Sequence, residues 1–267
     1  MSGSTIPLAL TIAGSDPGGG AGIQSDIRTF AALGVYGYSV ITSIIAQSSS
    51  RVTRVDAVKP AMIAAQIEVL LAESMPLAIK TGAMGSAGAV RETARAIVRF
   101  KMPRPVVDPV TIASSGARLI DKRGERMLCD ELIPLARIVT PNVPEAEALA
   151  GIAIRDRDSI REGAAKILAM GAKAVVIKGG HFADRARSTD LYFDGRKFIE
   201  LRAPRQKSGA HGTGCVFSAA IAAHLTRGAK LEDAVSAAKE FVTLALANSF
   251  KLGRGRAVLD QFSAVAR

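Results

Sequence analysis

Short apolar runs alternate along the chain with longer segments in which apolar residues recur every three or four positions. The short runs are LALTIAG (8–14), YSVITSIIAQ (38–47), LAIKT (77–81), residues 105–108 with Pro105 outside the strand, RIVT (137–140) and AVVIK (174–178). Their β-branched content and their length predict strands. The periodic segments 22–33, 60–73, 87–100, 121–133, 144–150 and 158–170 predict helices between them, and two more close the chain at 213–226 and 231–249. Such alternation predicts an α/β fold with a central, mostly parallel β-sheet flanked by helices on both faces. Residues 190–201 read instead as a hairpin, because Asp194-Gly195 sits between alternating residues. No repeat, low-complexity tract or linker interrupts the pattern, so residues 1–267 are expected to form a single domain.

Composition narrows the class of function. With 267 residues, 48% of them hydrophobic, the chain can build a core without crosslinks. Its two cysteines, Cys129 and Cys215, make no disulfide framework, and with three histidines they show no metal-ligand spacing. A reducing, cytoplasmic setting is expected, because the opening residues MSGSTIPLAL lack the charged and apolar regions of a signal peptide. No apolar run is long enough for a membrane span. Net charge is +11, but the basic residues are scattered and aromatics amount to only 4%. That excess suits acidic small molecules as well as nucleic acid, and the low aromatic content argues against a single-strand stacking surface. The expectation is no nucleic-acid and no membrane partner.

In open parallel sheets ligands bind beyond the carboxyl ends of the strands. The residues following each strand are therefore the candidates. The first strand runs into AGSDPGGGAGIQSD (13–26), whose glycines permit close backbone approach. Asp26 lies one helical turn beyond Gly22, within reach of that loop. This is neither a dinucleotide fingerprint nor a Walker loop. Gln47 ends the second strand with a carboxamide suited to a heterocycle edge. Asp108 stands at a strand end before Pro109. Asn142 and Glu145 open a helix in TPNVPEAEAL (140–149), where Pro144 pre-sets the first turn. Carboxylates beside polyphosphate are a usual way to hold Mg²⁺, although Asn142 and Glu145 also suit a helix cap and a first-turn charge. Lys178, followed by two glycines, offers a point charge for phosphate.

The stretch SGAHGTGCVFSAA (208–220) places free backbone N–H groups at a helix start. Gly212 and Gly214 let those groups converge on one oxyanion, as a transferring phosphoryl group requires. Cys215 follows directly. A thiol at such a helix end tends toward thiolate and would accept the proton of an attacking hydroxyl.

These motifs, AGSDPGGGAGIQSD, residues 105–110 with SSG at 114–116, TPNVPEAEAL, KGGH and GAHGTGC, occur in this order over nearly the whole chain. The set resembles the hydroxymethylpyrimidine kinase/phosphomethylpyrimidine kinase family of thiamine biosynthesis, within the ribokinase-like superfamily. The resemblance implies an ATP- and Mg²⁺-dependent kinase. It would phosphorylate 4-amino-5-hydroxymethyl-2-methylpyrimidine, a pyrimidine alcohol, and then its monophosphate to the diphosphate. By the same resemblance Asp26, Gln47, Ala21, Ala83 and Val110 fall at the pyrimidine, and Asn142, Lys178, Gly180 and Thr213 fall at the nucleotide. Asp108 and Glu145 match acidic positions near Mg²⁺, and Gly212, Thr213 and Gly214 match the anion hole. Cys215 stands where many ribokinase-like relatives carry an aspartate base. Family members often dimerise, so a homodimer is implied.

The chain departs from the family pattern at Gly18 (usually Ser), Ala83 (often Met), Thr111 (commonly Met) and Ser114 (often Lys or Thr), and its tail GRGRAVLDQF lacks the common histidines. The departures at Gly18, Ala83, Thr111 and Ser114 bear on the shape of the pyrimidine pocket. A pyridoxal or pyridoxine kinase of the same superfamily is the nearest alternative. A non-catalytic ligand-binding protein on this scaffold is a second, and a nucleic-acid binder, suggested only by charge, is a third.

Overall fold

A computed structural model describes residues 6–113, 115–179, 186–206 and 210–265. In chain order the elements are β1 (Leu8–Ser15), α1 (Gly22–Ala32), β2 (Tyr36–Gln47), β3 (Val52–Ala57), α2 (Pro60–Glu73), β4 (Ala78–Thr81), α3 (Ala87–Arg99), β5 (Val106–Val107), α4 (Lys122–Met127), β6 (Ile138–Val139), α5 (Val143–Ala150), α6 (Arg157–Ala169), β7 (Val175–Ile177), β8 (Arg187–Phe193), β9 (Phe198–Pro204), α7 (Thr213–Thr226), α8 (Leu231–Ala247), β10 (Phe250–Lys251) and β11 (Ala257–Val258).

Nine strands form one sheet in the order β3-β2-β1-β4-β5-β6-β7-β8-β9. The strands from β2 to β7 pair in parallel, while β3, β8 and β9 add antiparallel edges. Burial explains why the parallel strands read as continuous apolar runs: both of their faces are covered. Leu10, Ile12, Ile79, Val107, Val139 and Ile177 pack on one face with α2, α3, α5 and α6. Ala9, Ala78, Val106, Ile138 and Val176 pack on the other with α1, α7 and α8. From β1 the chain moves outward to β2 and β3, then returns to the opposite side of β1 as β4. The crevice at that reversal, between β1 and β4, is where this class of sheet accepts ligands.

The six predicted strands and most predicted helices are present, with boundaries moved by a few residues. Four differences have physical causes. The edge strand β3 was not expected; its VTRVDA sequence does not alternate, four of its six residues are exposed, and it carries little apolar signal. The helix expected over 121–133 is α only to Met127, then one wide turn over Leu128–Leu132 and a tight one over Ile133–Leu135. Pro134 has no N–H to continue the α ladder. The hairpin is longer than 190–201 and turns through four residues, where the Asp194 carboxylate accepts the amides of Arg196 and Lys197. The last helix stops at Ala247, and the tail folds back as the small β10–β11 pair.

Helix α7 is apolar all round. Every residue from Val216 to Ala223 is buried, four of them alanines that let it lie close against the sheet, α1 and α8. A large side chain there has nowhere to go, so Ala222→Leu is expected to lower the free energy of unfolding by about 1–3 kcal/mol. Urea unfolding followed by circular dichroism measures it, and an unchanged midpoint would contradict this packing.

Candidate active site

A cavity of about 800 Å³ runs along the carboxyl ends of the strands. On the β1–β4 side its wall includes Gly14, Ala21, Ile45, Gln47, Ala83 and Val110. In the middle lie Asp108, Asn142, Glu145, Lys178 and Gly212 to Cys215. Toward β8, β9 and α8 the wall is Ala203, Pro204, Phe217, Val242, Thr243 and Leu246. A cavity of this size takes two small organic groups end to end.

The start of α7 is the candidate anion-binding element. Gly212 precedes the helix with φ +86°, a conformation that disfavours a side chain. A Cβ there would also lie 1.7 Å from the Gly20 carbonyl oxygen, so glycine is required twice over. The first intrahelical bond runs from the Val216 amide to the Gly212 carbonyl at 3.0 Å. The amides of Thr213, Gly214 and Cys215 therefore have no intrahelical acceptor, and no side chain caps the helix. The Thr213 hydroxyl is turned away, donating to the Ala210 carbonyl at 3.0 Å. An oxyanion placed at this helix start would therefore meet backbone N–H groups and not the Thr213 hydroxyl.

Lys178 faces it. Its backbone amide donates to Pro141 and bridges it to Asn142, so β7 delivers the side chain beside α5. Its Nζ donates to Asp108 Oδ1 at 3.1 Å, and an added Cβ on Gly214 would meet that Nζ at 3.1 Å. The absence of a side chain at Gly214 thus lets ammonium and helix mouth come together. Asp108 also accepts from Thr140 and Ser218, both at 3.2 Å. Burial opposes the charge on Lys178, but Asp108 and Glu145 outweigh it and hold the ammonium above the ordinary lysine range.

Asn142 and Glu145 cap their own helix reciprocally: the Glu145 amide donates to Asn142 Oδ1 at 2.9 Å, and the Asn142 amide donates to Glu145 Oε2 at 2.8 Å. Both still line the cavity. Burial pushes the Glu145 carboxyl up to about 7, with Lys178 pulling the other way. Among the described residues no three His, Cys, Asp or Glu side chains cluster as a metal cage. Two carboxylates, one of them short of positive charge, fit Mg²⁺, which is usually held by one or two carboxylates plus water and phosphate.

Two expectations need correction. Asp26 does not face the loop or the cavity; it points into the core, fully buried. Its Oδ2 accepts from Thr11 at 2.6 Å and from Lys80 at 2.8 Å, while Oδ1 has no partner among the described residues. Lys80 of β4 reaches the cavity wall in its place. Burial works against the Lys80 charge, but Asp26 overrides it and keeps the ammonium above its usual range. Cys215 does lie on the wall, but its thiol is not poised as thiolate. Burial pushes it up to about 11, against the opposing pull of Lys80.

Other site-building residues escaped the sequence reading. Asp16 is wholly buried and accepts from the amides of Gly18 and Ala21 and from His211. Asp190 accepts the Gly179 amide at 2.9 Å and pairs with Lys239 at 2.8 Å, fixing the exit of β7. The SDPGG and AHG contexts of Asp16 and His211 contained a signal, two polar residues beside glycines, but nothing in sequence joins positions 195 apart. Gly180 and Ser114 lie outside the described residues.

Residues 16–260 match the family described as phosphomethylpyrimidine kinase. A hydroxymethylpyrimidine/phosphomethylpyrimidine kinase from Rhizobium meliloti is 44% identical over 259 residues, covering 96% of this chain and 97% of its own. The thiamine biosynthesis bifunctional protein ThiED from Geobacter sulfurreducens is 41% identical over 96% of this chain, which spans about half (52%) of that protein. Among solved structures, a Bacillus subtilis pyridoxal kinase in complex with ADP superposes with a TM-score of 0.91 at 33% identity, covering 98% of this chain and all of its own (100%). A phosphomethylpyrimidine kinase from Clostridium difficile gives 0.79 at 37% identity, covering 88% and 97%. The fold is the ribokinase-like one expected from the motifs. By sequence along nearly its full length and by architecture, the chain belongs to the phosphomethylpyrimidine kinase family.

Proposed function

We propose that this protein transfers the terminal phosphoryl group of ATP to the hydroxymethyl group of 4-amino-5-hydroxymethyl-2-methylpyrimidine, and then phosphorylates the monophosphate to the diphosphate. The observation that carries this reading is the meeting of the α7 amides with the Lys178 ammonium midway along one cavity. One end, with Gln47, suits a polar heterocycle; the other, with Pro204, Val242 and Leu246, suits a nucleoside. The names of the relatives support the pyrimidine substrate.

In this reading the alcohol oxygen attacks the γ-phosphorus, the bond to the ADP oxygen breaks, and the hydroxyl proton passes to an oxygen of the transferred phosphoryl group and then to water. Charge on the migrating group is met by backbone N–H groups and Lys178, already in place before reaction. When Mg²⁺ is bound with the nucleotide it offsets polyphosphate charge, and Asp108 and Glu145 are the residues that would hold it. A loose transition state requires little help from a base before the P–O bond forms. A thiol near 11 is no proton acceptor at neutral pH, so Cys215 serves the free protein as a neutral wall. The pyridoxal kinase reading draws support from the ADP-bound neighbour at TM-score 0.91.

Incubation with ATP and either the pyrimidine alcohol or pyridoxine, followed by mass analysis, separates the two. Pyrimidine mono- and diphosphate are expected, and phosphorylation of pyridoxine alone would overturn the proposal. Lys178→Ala should cut kcat/KM by about a hundredfold or more while the fold is retained; activity within about threefold, only ~0.6 kcal/mol, would remove its role. Iodoacetamide labelling of Cys215, followed by peptide mass spectrometry, should quicken about tenfold per pH unit between pH 8 and pH 10. A rate that levels off below pH 8 would show that the thiolate forms despite burial.

A further inference from the structure

The mechanism above leaves Asp16 and His211 without a part, although both are buried beside the helix mouth. Asp16 follows β1 and opens the glycine loop. Its Oδ1 accepts the Gly18 amide at 2.9 Å and its Oδ2 accepts the Ala21 amide at 2.8 Å. That second oxygen also meets His211 Nε2 at 3.1 Å. Burial alone would raise the Asp16 pKa, but these bonds, the one to His211 foremost, hold the carboxyl below its usual range. His211 directly precedes Gly212. Its amide donates to the Ala257 carbonyl at 2.8 Å, so the tail pins it from behind. Two close approaches show how tightly the loop and the helix mouth are seated. A Cβ on Gly20 would lie 2.7 Å from the His211 ring, and one on Gly212 would lie 1.7 Å from the Gly20 carbonyl oxygen.

Ala21 lines the end of the cavity assigned to the alcohol, and Gly212 to Cys215 line the part assigned to the migrating phosphoryl group. One carboxylate oxygen therefore joins the walls that hold the two reacting partners. We propose that Asp16 and His211 are positioning residues whose contact sets the separation between the alcohol and the anion hole. This rests on the kinase reading above. Neither side chain needs to touch the reacting atoms. Displacement of about 1 Å between reacting groups can lower the rate about a hundredfold.

The test uses the full chain with His211→Leu, which removes the contact, and His211→Gln, whose side-chain N–H can still reach Asp16. His211→Leu should lower kcat about a hundredfold, with the Kd for ADP by calorimetry within about threefold of wild type. His211→Gln should recover most of that loss, which a purely structural role would not predict. Asp16→Asn combined with His211→Leu should be no worse than the poorer single variant, because both break one contact. Hydrogen exchange at the Ala21 and His211 amides should quicken in His211→Leu. If wild type phosphorylates no alcohol, the functional reading fails while exchange still reports the contact. A kcat within threefold of wild type in a folded His211→Leu, or no gain from glutamine, would overturn the inference.

Discussion

A carboxylate removed from water must be matched by donors, and Asp108 is where this site meets that demand. The side chain stands at the end of β5, nearly without solvent. Its partners arrive from three other elements: Thr140 after β6, Lys178 after β7 and Ser218 in α7. Leaving such a charge unmatched costs about 3–5 kcal/mol, a large share of a domain's stability. The three elements are thereby held in one arrangement. The same arrangement presents the Lys178 ammonium to the amides of α7. The contacts that satisfy Asp108 at the sheet ends are thus the same ones that fix Lys178 beside the helix start.

Cys215 shows two physical effects in competition. A helix N-terminus favours a negative charge by about 0.3–1 kcal/mol. Moving the thiol from 9.0 to about 11 corresponds to about 3 kcal/mol in the opposite direction. Desolvation is the larger effect, and it wins in spite of the nearby Lys80 ammonium. The same rule accounts for Glu145, where Lys178 only partly offsets burial. Proximity to positive charge is not enough where a group is largely withdrawn from water.

Much of the fold was legible in the sequence because parallel strands buried on two faces are mostly apolar, as LALTIAG and AVVIK are. The edge strand β3 was not, since four of its six residues face solvent and little apolar pattern remains. Strand-end chemistry was legible as well: Asp108, Lys178 and the glycines around Thr213 stand where the sheet topology directs them. Asp26 was misread because helical spacing gives the turn on which a residue lies, not the face it turns to. It turned inward to Lys80, a fully buried lysine of β4. His211 and Asp16 could not be paired in advance, because their meeting depends on how the tail and the first loop pack together.

The uninterrupted apolar wrapping of α7 bears on how the protein works through time. The middle of the helix, Val216 to Ala223, is buried against the sheet and two neighbouring helices, which leaves it little room to slide or rotate. It serves as a stator. Motion during turnover is therefore not expected of this helix, and the amides at its start keep one position relative to the sheet.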